Sequence, residues 1–268
     1  MHRLHLTSFT VVLALCALSL PAQQKSVPQD LRPERVAPPS QAASAQQLEE
    51  EGDVLRARKD YLDAVDYYRV AGEKSDTATL HNKVGICFIQ LQRYQDSKKE
   101  FERATKLNPE YAEAFNNLGA ADYQMRRYSA SVKHYQRAIR LNDESAHFHF
   151  NLGSAYFSRK DFDKATHEYQ RALQLDPTIF DPQAGGGVSV KLATQNQSDR
   201  AYFHYMVAKM YCSRGDEENC RLYLAKANEA GYPYIKDALK DGEFATMRKD
   251  PSFVSFVRSL KKPVDQVE

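Results

Sequence analysis

The sequence predicts an all-α solenoid of about five stacked helical hairpins closed by C-terminal capping helices. Two observations predict it: a repeat near 34 residues, and helix-stopping Asn108-Pro109 and Asp176-Pro177 falling at its boundaries. Aligned on Gly52, Gly85, Gly119 and Gly153, the copies are spaced by 33, 34 and 34 residues. Aromatic side chains keep that register at Tyr61, Tyr94, Tyr128 and Phe162, and again at Tyr68, Phe101, Tyr135 and Tyr169. Small residues keep it at Ala64, Ser97, Ser131 and Ala165, and at Ala71, Ala104, Ala138 and Ala172.

Each copy reads as two helices. In the fourth, Phe150 to Tyr156 gives way at Arg159-Lys160-Asp161 to a second segment from Phe162 to Leu175. Apolar and small residues at three and four spacing put one stripe on each helix. A glycine inside a helix costs about 1 kcal/mol relative to alanine, so its recurrence demands a packing reason, the close approach of the paired helices. The copies span residues 45–77, 78–111, 112–145 and 146–179. A fifth, 201–234, repeats the columns at Ala208, Tyr211, Cys220, Leu224 and Ala227, each 55 residues after its counterpart. The extra 21 residues form an insertion over about 180–200. Gly185-Gly186-Gly187 lies in it without the Gly-Lys-Ser/Thr of a phosphate loop, so it reads as a flexible loop. Ser198 or Asp199 is the expected cap of a helix beginning near Ala201. Residues 235–262 read as short helices covering the open end of the stack, over Tyr234–Lys240, Glu243–Arg248 and Pro251–Lys261, with Asp250 starting the last. A tail, 263–268, follows.

The first 22 residues have the three-part pattern of a secretory leader: a weakly basic start at Arg3, an apolar run from Leu6 to Leu20, then Pro21-Ala22. The apolar run is short for a membrane span, which needs roughly 20 residues. Export to the periplasm or cell envelope is expected, with an uncleaved N-terminal anchor as the alternative. Residues 23–44 carry four prolines and little apolar periodicity, the composition of a disordered spacer. The chain of 268 residues has 37 Lys and Arg against 35 Asp and Glu, and loses only Arg3 with the leader. So balanced a chain offers no field to attract nucleic acid or an anionic membrane.

The order of small residue, aromatic, alanine and closing proline on a period of 34 resembles the tetratricopeptide-repeat (TPR) family over about residues 45–179. Departures are the absence of tryptophan near each start, where Leu48, His81, Phe115 and His149 stand, and Asp122 at a position usually tyrosine. The resemblance implies a right-handed superhelix whose first helices line a concave groove that receives an extended peptide. Transferred to this chain, the groove columns give Asn82, Asn116, Asn117, Tyr123, His147, Phe150, Asn151, Phe157, Tyr202 and Tyr205. Asn117 and Asn151 share a column with the asparagine ladder of the peptide-binding TPR superhelix of O-linked N-acetylglucosamine transferase. An amide gives to and accepts from a peptide backbone without reading its sequence. The Lys/Arg clamp of chaperone-adaptor repeats is absent, its columns holding Thr79, Asn117, His147 and Asn151.

Catalytic chemistry has little foothold. His147 and His149 lie two apart, on different faces of a helix, and His81 and His149 share one repeat column, which packing explains better than metal ligation. No Cys-x-x-Cys, His-Glu-x-x-His or Gly-x-Ser-x-Gly occurs, and no cofactor or metal is expected. Cys87 among Ile86, Phe88 and Ile89 reads as core. Cys212 and Cys220 lie on the two helices of one hairpin with columns that need not face each other, so free thiols are expected. The function predicted is that of an exported, non-enzymatic scaffold binding an extended segment of another protein. The alternative is a structural or regulatory subunit of an envelope assembly that acts through its convex face or ends.

Overall fold

The computed structural model describes residues 36–181 and 196–260. The leader, most of the spacer, the middle of the insertion and the tail 263–268 lie outside them. All helices described belong to one unit, Ala37–Glu268. They run as α1 (Ala45–Ala57), α2 (Tyr61–Lys74), α3 (Ala78–Gln90), α4 (Tyr94–Leu107), α5 (Ala112–Gln124), α6 (Tyr128–Leu141), α7 (Ala146–Ser158) and α8 (Phe162–Leu175). After the insertion come α9 (Gln197–Ser213), α10 (Glu217–Glu229) and, past three short 3₁₀ turns, α11 (Pro251–Ser259). Consecutive pairs pack as antiparallel hairpins, and α2, α4 and α6 each pack on the first helix of the next hairpin.

The glycine column sets the hairpin spacing. A Cβ on Gly52, Gly85, Gly119 or Gly153 would stand 2.6, 2.5, 2.7 or 2.8 Å from ring carbons of Tyr68, Phe101, Tyr135 or Tyr169, all of them buried. Each ring therefore lies against the backbone of its partner helix, and only hydrogen fits between. In the fifth hairpin Ala208 takes the glycine's column and Leu224 the ring's, both buried. The thinner side chain makes room for the methyl.

Several expectations drawn from sequence change. Residues 36–44 are not a free spacer: Tyr67 Oη donates to the Ala37 carbonyl (3.1 Å) and Lys74 Nζ to that of Gln41 (2.7 Å). The chain thus lies along α2 before Ser44 opens α1 with a capping box to Gln47. The insertion does not begin at 180 as loop. Ile179 and Phe180 are 1% exposed, and the Phe180 ring sits against Phe150, Tyr169, Phe203 and Tyr211. Asn196, rather than Ser198 or Asp199, caps α9, accepting from the Asp199 N–H at 2.7 Å. The capping segment opens with three 3₁₀ turns (Ile235–Leu239, Gly242–Phe244, Met247–Lys249), with Asp250 capping α11 as expected. Lys236 Nζ donates to the carbonyls of Val257, Arg258 and Leu260 at 2.7–2.8 Å, satisfying the open end of that last helix. Cys212 and Cys220 are joined in a disulfide across the α9–α10 turn, Cα–Cα 5.1 Å, not free. Cys212 ends one helix and Cys220 begins the other, so the turn brings together residues that column arithmetic left apart.

Candidate interaction face

The first helices α3, α5 and α7 lie side by side and are stitched by their amides. Asn117 Nδ2 donates to Asn82 Oδ1 at 2.9 Å, and Asn151 Nδ2 to Asn116 Oδ1 at 2.9 Å. Each bond spans 35 residues, joining the position two before one repeat's glycine to the position three before the previous repeat's. Asn116 Nδ2 donates to Asn117 Oδ1 (3.3 Å), and Asn82 Nδ2 to Tyr111 Oη (3.2 Å). The relay therefore runs Asn151, Asn116, Asn117, Asn82, Tyr111 across three repeats. One repeat earlier the same step is ionic: Lys83 Nζ reaches Glu49 Oε1 and Asp53 Oδ2, both at 2.7 Å. Burial alone would raise the Asp53 carboxyl. The Lys83 ammonium and the Tyr68 hydroxyl outweigh it and hold the group below its usual range.

Of the remaining predicted groove residues, His147 is exposed and Tyr202 half-buried, while Asn116, Asn117 and Asn151 are half-buried and Asn82 is buried. Tyr123, Phe150, Phe157 and Tyr205 are packed among other side chains, and Tyr205 also borders a cleft. All four are at most 3% exposed. Phe150 packs on Tyr169 and Phe180, and Phe157 on Phe162, Tyr202 and Phe203. Tyr123 meets Tyr128 edge-on and shares a hydrogen bond with Ser158 Oγ at 2.7 Å. Tyr205 stacks on Tyr232 and donates to Asp241 Oδ2 at 3.0 Å. Segment 146–158 is apolar nearly all round, the pattern of a helix enclosed on every side, and that signal argued against exposed anchors there.

The departure at Asp122 builds a polar cluster around a buried carboxylate. Asp122 Oδ1 lies 3.3 Å from Lys98 Nζ on α4 and Oδ2 3.3 Å from His134 Nε2 on α6. Burial would raise this carboxyl, but His134 and Lys98 more than offset it and hold it low. The histidines sharing one column form the same contact twice, His81 to Glu100 and His149 to Glu168, both 2.7 Å from Nδ1 to Oε2. Cys87 is buried, and burial pushes its thiol up to about 11. Among the described residues no group of three or more His, Cys, Asp or Glu could hold a metal ion, and no helix is long and apolar enough to cross a membrane.

Family comparisons fall on the same repeats. A family model described as tetratricopeptide repeat matches residues 117–178, and one described as TPR repeat matches residues 85–126. Among solved structures, MamA 41-end from Desulfovibrio magneticus RS-1 aligns at 16% identity and TM-score 0.51, covering 76% of this chain and 100% of its own. A second MamA protein structure aligns at 20% identity and TM-score 0.50, covering 74% of this chain and 95% of its own. At such identities the likeness is one of fold. No curated protein matches the sequence. Both family models fall on hairpins whose glycine, aromatic and alanine columns keep one register, so residues 85–178 carry tetratricopeptide repeats, the repeat of protein-interaction scaffolds.

Proposed function

We propose that this scaffold is exported and binds an extended segment of another protein along the face formed by α3, α5 and α7. The amide relay carries the reading. Asn116, Asn117 and Asn151 are half-buried, held in fixed orientation by their neighbours, and each keeps an N–H and a lone pair beyond those the relay uses. A row of preset donors and acceptors matches a peptide backbone and loses little entropy on binding. Export rests on the leader pattern of residues 1–22 and gains support from the Cys212–Cys220 disulfide, which persists in oxidising compartments.

The test is partner capture by crosslinking in native envelope, comparing Asn117→Ala/Asn151→Ala with Lys164→Ala on the convex side. Capture should fall about 10-fold or more in the amide variant and stay unchanged in the control. Because each amide also holds the next, the variant should lose about 1–2 kcal/mol of stability, so capture is measured well below its melting temperature. Equal capture by both variants would transfer the function to the convex face or ends.

A further inference from the structure

The regular stacking of second helix on next first helix fails once. α2, α4 and α6 pack closely on α3, α5 and α7, but α8 and α9 lack that backbone packing. They meet through side chains instead: the rings of Phe162 and Tyr202 stand 4.6 Å apart, and Thr166 Oγ1 reaches Met206 Sδ at 3.0 Å. The gap left is a cleft of about 490 Å³. That volume lies within the roughly 300–1,000 Å³ range of binding pockets. Its apolar walls are Phe162, Tyr202, Tyr205, Tyr232, Met206 and Met210. The charged groups on it are Asp163, Asp241 and Glu243 against one ammonium, Lys209, with His167 beside them.

We propose that this cleft takes a basic side chain, a lysine-type ammonium on an alkyl stem, from the segment bound along the first helices. The proposal rests on the groove reading, since Tyr202 occupies the column of His147 and Tyr205 that of Phe150. A cation is attracted to the faces of aromatic rings, and Asp163, the carboxylate left over after Lys209 is paired, adds matching charge. The cleft already holds one such arrangement. Lys209 Nζ lies 6.0 Å from the Tyr205 ring centre and bridges Asp241 (3.1 Å) and Glu243 (3.0 Å). Asp163 has no bond of that kind to Lys209; burial pushes the Tyr202 hydroxyl up, Lys209 pulls against it, and Asp163 adds a smaller push upward. The alkyl stem of an incoming residue would lie along Met206 and Met210.

The experiment uses the full chain with ¹³C-methyl methionine and follows the Met206 and Met210 methyl resonances. Three probes are titrated: N-acetyl-lysine methylamide and its norleucine and glutamate counterparts. The lysine probe should give saturable shifts at both methyls, with norleucine about 5-fold weaker or more and glutamate silent. Tyr202→Leu keeps apolar bulk but removes a ring face, and Asp163→Asn removes charge. Each should weaken the lysine probe and leave norleucine unchanged. Norleucine binding as tightly as lysine, or no saturable shift with lysine, overturns the proposal. If a variant does not fold, the three-probe comparison on the natural chain decides alone. Loss of the cleft result with the amide-variant result intact refutes the cleft and leaves the groove reading standing. The reverse refutes the groove and leaves a free-standing cation site.

Discussion

At Gly85 there is no room for a methyl: it would stand 2.5 Å from the Phe101 ring, which is fully buried. Alanine is the better helix former by about 1 kcal/mol, but overpacking at such a site costs about 1–3 kcal/mol. Gly85→Ala should therefore destabilise in urea melts. Phe101→Leu should also destabilise, yet the double variant reproduces the Ala208/Leu224 pairing of the fifth hairpin. Its loss should fall short of the sum of the single losses by about 1 kcal/mol, and simple additivity would show that the ring does not set the limit. A second residue governs pH response. His204 Nδ1 is buried without a partner, and burial, with Lys226 and Arg200 nearby, lowers the imidazole pKa to about 4. The unfolded chain binds that proton near pH 6.5, the folded chain only near 4, so stability falls as pH drops through this window. His204→Phe keeps the ring between Phe203 and Tyr223 and removes the titration. The natural chain should lose about 1–2 kcal/mol more than this variant between pH 6.5 and 4, allowing for partial exposure of the ring. Parallel slopes of melting temperature against pH would assign the loss elsewhere.

Every first helix ends in the same way, and the ending is made from unfavourable residues. The N–H of Asp60, Arg93, Arg127, Asp161 and Asp216 reaches back to the carbonyl of Leu55, Phe88, Asp122, Tyr156 and Tyr211 at 2.8–3.0 Å. That closure requires positive φ at the preceding residue: Lys59 (70°), Gln92 (57°), Arg126 (59°), Lys160 (63°) and, in the fifth hairpin, Gly215 (82°). Only the last is glycine. Gln92→Gly and Arg126→Gly should each raise stability by about 0.5–1 kcal/mol, read from the urea midpoint, because both side chains are exposed and only backbone strain changes. The hairpins themselves were legible in sequence, since five columns and two prolines mark their ends. What escaped was anything outside a column. Phe180 belongs to no repeat position, and its burial follows from the space between α8 and α9, a tertiary fact without local signature. The start of α9 escaped for a related reason: Asn196, Ser198 and Asp199 are all good caps, and sequence alone does not rank them. The amides were legible as a column at Asn117 and Asn151, but not as a relay. Each bond joins two different columns, and the offset between neighbouring repeats had to be known.

Because each hairpin touches only its neighbours, stability in such a stack is local and unfolding can begin at one end. Three features hold the C-terminal end: the Phe180 wedge, the α11 cap fastened by Lys236, and the Cys212–Cys220 disulfide. Of these the disulfide is the one that the surroundings can remove. It closes a short loop across the α9–α10 turn, for which chain entropy gives a stabilisation of about 2–3 kcal/mol. The effect should stay in the fifth hairpin and the residues packed on it, because the relay through Asn82, Asn116, Asn117 and Asn151 neither touches nor requires it. Native-state hydrogen exchange with and without a phosphine reductant tests this. Amides of α9, α10 and α11 should lose protection on reduction, while those of α3 to α6 keep theirs. Cys212→Ala/Cys220→Ala should behave as the reduced chain does and no longer respond to reductant. A uniform loss of protection from α3 to α11 would mean that the stack unfolds as one cooperative body, and the disulfide would then govern the interaction face as well as the end.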